Sequence, residues 1–341
     1  MLLSIIIPVY NAEKYIKECI ESIYNNNIND NTQNKNWDKF EVITVNDGSK
    51  DKSLAILNSM KEIYPTLKVI DKKNGGVSSA RNKGIDVASG KYILFVDIDD
   101  IIEDSAIDTI IDTIQSQESD LYIGNYSEVS EDNQILRDID VADEINSSIE
   151  GMHHALLFGY AMNACWGKIY KRENIEKWGL RFDTSIKMGE DLLFVAQYCK
   201  KTTHVLSIKK TIYRYRQLES GAVLTNRSKL DKANIDDLVR TIKCKKEYAL
   251  SINMSNEEQE LLMIELSSVL SGVINLTLKA NWSLREKKEK LNNLISQEII
   301  YEVMDKVSVN KHANGKRRVM CMMIKNAFLR NIYVTIKHIL A

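Results

Sequence analysis

The sequence predicts an α/β fold: a mostly parallel sheet flanked by helices over residues 1–222, followed by an α-helical C-terminal region over 223–341. Three observations predict it. In the first hundred residues, short apolar runs alternate with segments of helical period, giving strand, helix, strand, helix, strand, helix, strand. Polar residues directly follow three of those runs, at Asn11, at Asp47, and at Asp97, Asp99 and Asp100; open parallel sheets bind ligands at these carboxyl ends. After about Leu224 the apolar pattern is helical throughout, across 230–248, 259–278 and 287–304.

Residues 2–9 (LLSIIIPV) form an apolar run suited to a strand buried on both faces. Pro8 donates no ladder bond, so it belongs near the strand's end. Asn11 is expected to cap a helix from residue 12, in which Tyr15, Ile16, Cys19, Ile20 and Ile23 recur at helical spacing. Residues 25–36 are polar and asparagine-rich, and read as a surface insertion. A second strand covers 40–45; the turn at 46–49 (NDGS) leads into a helix ending near Tyr64, and a third strand covers 67–70. Asn74, Gly75 and Gly76 turn the chain into a helix over 78–88, which Gly90 stops before a strand over 92–96. A helix follows over 105–117 and a short strand over 121–123, and the acidic stretch 128–150 accommodates an antiparallel hairpin. A strand with aromatic and basic residues is expected over 165–171. Gly189, Glu190 and Asp191 precede an apolar helix over 192–198, and 212–216 alternates apolar and basic residues as an edge strand would.

At 341 residues the chain is long enough for a main domain with an appendage. A composition 44% apolar and 27% charged supports an ordinary core, and a net charge of −1 argues against nucleic acid as a partner. Five scattered cysteines (Cys19, Cys165, Cys199, Cys244, Cys321) lack Cys-x-x-Cys spacing, which argues against a zinc or disulfide framework and fits a reducing cytoplasm. No run of about 18 uncharged apolar residues occurs, so neither a signal peptide nor a membrane span is expected.

Three carboxylates in four positions at the end of a buried strand repel one another. Either a divalent cation sits among them or the turn is an acidic, solvated one. The companion motifs bear on that choice: 4–11 (SIIIPVYN), 45–51 (VNDGSKD), 74–84 (NGGVSSARNKG), 97–100 (DIDD) and 189–191 (GED). Together, and in this order over roughly the first 220 residues, they resemble the family-2 glycosyltransferases of the GT-A fold, the inverting group that includes bacterial capsule and exopolysaccharide enzymes.

The resemblance implies roles. Pro8, Tyr10, Asn11 and Glu13 would grip the base and ribose of a UDP-sugar donor, and Asp47 would accept a hydrogen bond from the uracil. Asn46 stands where the family usually carries another Asp. Asn74 and Arg81 would lie near the donor's phosphates or ribose. Asp97 would contact the ribose or the metal shell, and Asp99 would be the principal ligand of Mn²⁺ or Mg²⁺ bridging the diphosphate; Asp100 is the one expected to be merely structural. Asp191 matches the general base, with Glu190 beside it orienting acceptor or base. Trp166 and Lys168 resemble a Trp-x-Lys stretch of the polysaccharide members, an aromatic platform for a sugar and a cation for phosphate, although a core tryptophan fits equally. Arg214, Arg216 and the loop 217–227 are placed to close over the diphosphate as a lid.

The implied activity is metal-dependent, inverting transfer of a hexose or N-acetylhexosamine from a UDP-sugar to a glycan acceptor, lipid-linked, in polysaccharide biosynthesis. A sugar nucleotidylyltransferase would want a Gly-rich phosphate loop after the first strand, where this chain has Val9, Tyr10, Asn11 and Ala12. A non-catalytic, glycosyltransferase-like nucleotide-binding or scaffold protein would tolerate loss of carboxylates that are all present here. Residues 311–341 contain no Asp or Glu and carry seven Lys and Arg among apolar residues. Such a segment suits an anionic membrane surface, here the inner face of the cell membrane, or a terminal helix docked on its own domain with a solvated basic face.

Overall fold

The computed structural model describes residues 1–24, 36–159, 161–218, 232–252, 254–310 and 313–339. Most of the expected insertion at 25–36 and of the expected lid at 217–227 lies outside them. The chain forms two compact units, Met1–Ile186 with Glu190–Glu219, and Lys187–Gly189 with Ser220–Ala341.

The first unit opens with β1 (Leu3–Val9), α1 (Ile16–Tyr24), β2 (Phe40–Asn46), α2 (Ser53–Lys61), β3 (Leu67–Asp71), α3 (Val77–Val87) and β4 (Tyr92–Phe95). These four strands run parallel in the order β3-β2-β1-β4, so the strand order reverses at β1, and the adjacent strand ends form the crevice where such sheets bind ligands. Leu3, Ile5, Ile6 and Ile7 are fully buried, as a strand covered on both faces requires. Helix α3 packs on β1 through Gly84, where a Cβ would stand 2.3 Å from the Ile6 side chain.

The unit continues with β5 (Ile101–Ile102), α4 (Ala106–Ser116), β6 (Leu121–Val129), β7 (Ile135–Ile139), α5 (Val141–Ile145), α6 (Ile149–Phe158), a 3₁₀ turn (Ala161–Asn163), β8 (Lys168–Lys171), α7 (Arg172–Lys177), α8 (Glu190–Cys199) and β9 (Val205–Arg216). Beyond β4 the sheet runs β8-β6-β9-β5, with β7 hydrogen-bonded to β6 as a hairpin within the acidic stretch. Strand β8 is antiparallel to both β4 and β6, while β6 and β9 are parallel, so this half of the sheet is mixed.

Three sequence expectations change here. The helix expected from residue 12 begins at Ile16, because Asn11 takes a left-handed conformation (φ 49°) and is tied to the turn after β2 rather than capping a helix. The short strand at 121–123 extends to Val129, nine residues in all. The expected edge strand at 212–216 is the end of a twelve-residue strand lying between β6 and β5, inside the sheet.

The second unit is helical: α9 (Lys232–Ser251), α10 (Asn256–Lys279), α11 (Leu284–Ile295), α12 (Glu298–Val309), α13 (Gly315–Lys325) and α14 (Ala327–Ile339). Ser255 with Glu258 and Ser283 with Glu286 form capping boxes that start α10 and α11. By length and composition α10 is apolar enough to cross a membrane, with 44% of its most apolar window buried. It packs against each of the other five helices, which accounts for apolar residues around so much of its circumference. On α13 and α14, Val319, Met322, Leu329, Ile332 and Ile336 are exposed. Of the basic residues there, Arg317 donates to Ser268 Oγ, Lys325 pairs with Asp305 at 2.5 Å, and Arg330 donates to the Ile324 carbonyl.

Candidate active site

The loops after β1 and β2 are laced together by short polar side chains. Asn11 Oδ1 accepts from Lys50 N–H at 2.8 Å, the Asn11 amide donates to Ser49 Oγ at 3.0 Å, and Ala12 N–H donates to Ser53 Oγ at 2.9 Å. Glu13 Oε2 accepts from Lys52 N–H at 2.9 Å, while Glu13 N–H donates to Asp51 at 3.1 Å. Asn11, Glu13 and Tyr10 are exposed at the sheet's carboxyl edge, and Pro8 is half-buried.

Asp47 is the knot of the next loop. Its carboxylate accepts from Lys72 Nζ at 2.5 Å, from Gly75 N–H at 3.0 Å and from Gly76 N–H at 2.7 Å, and its carbonyl accepts from the Asn74 side chain at 2.8 Å. Gly48 (φ 70°) makes this closure sterically allowed, since a Cβ there would lie 2.9 Å from the Asn74 amide. At position 46, where the family usually carries Asp, Asn46 instead donates to Asp71 at 2.7 Å.

After β4 the three carboxylates separate by environment. Asp100 is buried: Oδ2 accepts from the Tyr213 hydroxyl at 2.6 Å and Oδ1 from Arg216 N–H at 2.8 Å, so it fastens the loop to β9. The Tyr213 hydroxyl also accepts from Asp97 N–H at 3.1 Å. Asp99 is half-buried and forms the second acidic position; burial, then the Asp97 charge, pushes its carboxyl up to about 6. Asp97 and Asp99 are hard oxygen donors of the kind that would hold a divalent cation, which would supply charge neutralisation there. Among the described residues no group of three or more His, Cys, Asp or Glu converges as a self-sufficient metal cage.

The sequence reading places Arg81 in the site, near the donor's phosphates or ribose, but not as the hub that joins the carboxylates. Arg81, 3% exposed on α3, donates through Nη2 to Asp97 at 2.8 Å and through Nη1 to Asp191 at 2.6 Å, with Glu190 at 3.4 Å. Its guanidinium lies over the Phe182 ring, 5.2 Å from the centroid. Asp191 Oδ2 accepts from Cys165 N–H at 3.2 Å, so both carboxylate oxygens are held. Burial raises the carboxyl of Asp191 above its ordinary range, and burial with the Asp191 charge pushes Glu190 up to about 7. Arg81 is therefore committed to carboxylates rather than presented to donor phosphates. Because 110 residues separate it from Asp191, neither spacing nor periodicity signals the pair.

Four expected site residues lie elsewhere. Lys168 is buried, and its ammonium donates to the carbonyls of Ala161, Ala164 and Trp166, so it braces the turn before β8 and is not available to a phosphate. Trp166 is 7% exposed, stacked on Tyr213 and Tyr215, and edge-on to Tyr126; it is a core aromatic rather than a sugar platform. Arg214 grips Glu103 with two bonds, and Arg216 pairs with Glu18 at 2.6 Å. Both arginines belong to β9 and are paired there, while most of the loop expected to close with them lies outside the described residues.

The family model for glycosyl transferase family 2 matches residues 4–179. Glycosyltransferase GlyA of Streptococcus pneumoniae serotype 4 is 29% identical over 307 residues, which cover 87% of this chain and 42% of GlyA. The putative glycosyltransferase EpsH of Bacillus subtilis is 32% identical over 235 residues, 68% of this chain and 65% of EpsH. The chain thus aligns with less than two thirds of the length of either relative. Among solved structures, S. aureus TarS 1-349 in complex with UDP-GlcNAc superposes with a TM-score of 0.70 at 20% identity, covering 99% of this chain and 90% of that one.

Proposed function

The chain belongs to glycosyl transferase family 2 and has the GT-A fold, and from that premise we propose that it transfers a hexose or N-acetylhexosamine from a UDP-sugar to a glycan acceptor with inversion at the anomeric carbon. The observation that carries the reading is the Arg81 fork, which holds Asp97 at the end of β4 and Asp191 at the start of α8 on one guanidinium. Donor-side and acceptor-side carboxylates are thereby kept in one constellation, as a single displacement requires.

In this reading Asp191 is the general base: it removes the proton of the acceptor hydroxyl as that oxygen attacks the anomeric carbon from the face opposite UDP. Holding both its oxygens fixes the direction from which the proton is taken. The exposed groups Tyr10, Asn11 and Glu13 with the half-buried Pro8, and the loop pinned by Asp47, would bound the nucleotide's place at the carboxyl edge. Asp99 and Asp97 would hold Mn²⁺ or Mg²⁺; when bound, the cation supplies charge neutralisation for the departing diphosphate. UDP-GlcNAc bound to the similarly folded TarS supports a uridine donor.

The acceptor in this proposal is lipid-linked, the pathway builds a bacterial polysaccharide such as a capsule, and the enzyme works at the cytoplasmic face of the membrane. Supporting this is the acid-free segment 311–341 with its exposed Leu329, Ile332 and Ile336, spaced as one stripe along α14. Residues 1–222 would be the catalytic part and 223–341 the membrane- or acceptor-associated part.

The test is purified chain with Mn²⁺ and a panel of UDP-Glc, UDP-Gal, UDP-GlcNAc and UDP-GalNAc, read as UDP release with and without acceptor. One donor is expected to stand out, and Asp191→Asn is expected to lose at least about a hundredfold in transfer while still binding UDP. A fully active Asp191→Asn enzyme would refute the base assignment, and no UDP release from any donor would refute the activity.

A further inference from the structure

A cavity of about 220 Å³ lies between the β6–β7 hairpin and the α5–α6 segment, and none of the carboxylates described above lines it. Its wall includes Tyr126, Arg137, Asp140, Glu144, Ala161 and Met162. Three lines of geometry tie it to the reacting centre. Strand β8 pairs Leu94 of β4 with Ile169 and Ile123 of β6 with Lys168, so Tyr126, three residues further along β6, lies toward the same sheet edge as Asp97, three residues beyond Leu94. The Tyr126 ring meets Trp166 edge-on at 4.9 Å, and Trp166 stacks at 4.7 Å on Tyr213, whose hydroxyl holds Asp97 N–H. Met162 in the wall is three residues from Cys165, whose N–H holds Asp191, so their Cα atoms are at most about 11 Å apart.

We infer that this cavity is an acceptor subsite that takes one uncharged, hydroxyl-rich sugar ring next to the ring carrying the reacting hydroxyl. The inference rests on the glycosyl-transfer reading above and adds the position and charge class of the acceptor. One guanidinium and two carboxylates converge with Met162, Ile139, Val141 and Ala155, a lining that offers donors and acceptors to hydroxyls and apolar surface to ring C–H groups. With Arg137 against Asp140 and Glu144, the formal charge of the lining is −1, which disfavours a phosphate-bearing unit. The carboxylates are positioned already: Asp140 accepts from the Asn125 amide at 3.3 Å, and Glu144 lies 3.7 Å from His154.

The experiment uses the full chain, its preferred UDP-sugar and n-octyl disaccharides as acceptor probes, whose second ring can enter the cavity, and reads the partition of transferred sugar between octyl disaccharide and water. Ala161→Trp, which fills the cavity from a half-buried rim position, and Arg137→Ala, on an exposed strand position, are each expected to shift that partition roughly tenfold toward water. A misfolded variant loses both products together, so the ratio is read only in variants that keep wild-type UDP release to water, and an unmoved ratio in both of them overturns the subsite. Competition by glucose 1-phosphate stronger than by octyl glucoside overturns its charge class. If the wild-type chain releases no UDP from any donor, the activity fails separately. Saturation-transfer NMR of octyl glucoside then decides the subsite: a signal that Ala161→Trp abolishes supports it, and no signal overturns it.

Discussion

Arg81 Nη1 stands 2.6 Å from Asp191 Oδ1 while Nη2 of the same guanidinium stands 2.8 Å from Asp97 Oδ1. At 3% exposure, the arginine is the counter-charge for both carboxylates, and at Asp191 it opposes the burial that raises the carboxyl. Removing it strands them. Arg81→Met is expected to cost about 3–5 kcal/mol, the usual penalty for breaking one side of a buried pair, and to abolish transfer. Arg81→Lys keeps the charge but reaches only one carboxylate well, so it is expected to recover most of the stability and little of the rate. Thermal melting beside UDP-release kinetics checks this; a Lys variant with full activity would show that the fork is dispensable.

Rate and stability are expected to respond to pH in opposite directions. Burial and the Asp191 charge push Glu190 up to about 7 from an ordinary 4.5, and burial with the Asp97 charge pushes Asp99 up to about 6. Between the ordinary and raised values the folded state binds more protons than the unfolded chain, so unfolding free energy falls as pH rises from about 4 to 7. A base, however, works only when ionised, so the transfer rate is expected to climb with pH as the raised Asp191 carboxyl ionises, with an apparent pKa belonging to the Glu190–Asp191 pair. Melting curves in EDTA and a pH–rate profile check both limbs. Glu190→Gln should flatten the stability slope, and a slope it leaves intact would place the titration elsewhere.

Much of the parallel half was readable because its causes are local. Strands buried on both faces must be continuous apolar runs, and the polar residues after β1, β2 and β4 mark the carboxyl edge wherever the later chain goes. The other half depends on pairings across long separations: β9 lies inside the sheet because β6 and β5 flank it, which an alternating Ile212–Arg216 pattern does not reveal. Site residues divide the same way. Asp97, Asp99 and Asp191 were named from motifs, but that one buried arginine joins two of them is a tertiary fact. Trp166 reads as either platform or core, and Lys168 as a cation for phosphate, because a polar or aromatic residue reads alike whether it faces a ligand or finds its partners in the core.

Lys168 makes that last distinction measurable. Burial pulls its ammonium down to about 8, and the group donates to three carbonyls of the turn that carries Cys165. If it braces the turn, Lys168→Met leaves buried acceptors unpaired and costs about 1–3 kcal/mol, while the donor's KM stays within about twofold. If it contacted a phosphate instead, stability would hold and the donor KM would rise by an order of magnitude or more. Denaturant melts and donor titrations on one variant separate the two roles.

Asp47 is expected to act on the donor through the loop it ties. Its carboxylate holds the N–H groups of Gly75 and Gly76 as well as Lys72 Nζ, all within 2.5–3.0 Å. Asp47→Ala frees that turn and removes an acceptor at the nucleotide's edge of the sheet. The expected result is a loss of about 1–3 kcal/mol in stability and at least a tenfold weaker UDP affinity. Asp47→Asn retains one acceptor oxygen and should fall between, with UDP calorimetry as the readout; an Ala variant that binds UDP normally would remove Asp47 from the donor site.

The Asp97–Asp99 pair makes a prediction about the cation that needs no turnover. With Asp99 raised to about 6 by burial and by the Asp97 charge, about half of its carboxyls are protonated near that pH in the free protein. A divalent cation binds the ionised form, so Mn²⁺ added with UDP at pH 6 must displace part of a proton, whereas at pH 8 it has none to displace. Calorimetry in two buffers of different ionisation enthalpy measures that proton directly. Mn²⁺ with UDP is also expected to raise the melting temperature more at pH 8, where the carboxylates repel one another fully, than UDP does alone. Asp99→Asn should lose both effects while keeping UDP affinity within about tenfold, since the loop at Asp47 is untouched. If Mn²⁺ changes neither the melting temperature nor the heat in the presence of UDP, the two carboxylates are not a cation site, and the site must neutralise the diphosphate by another route.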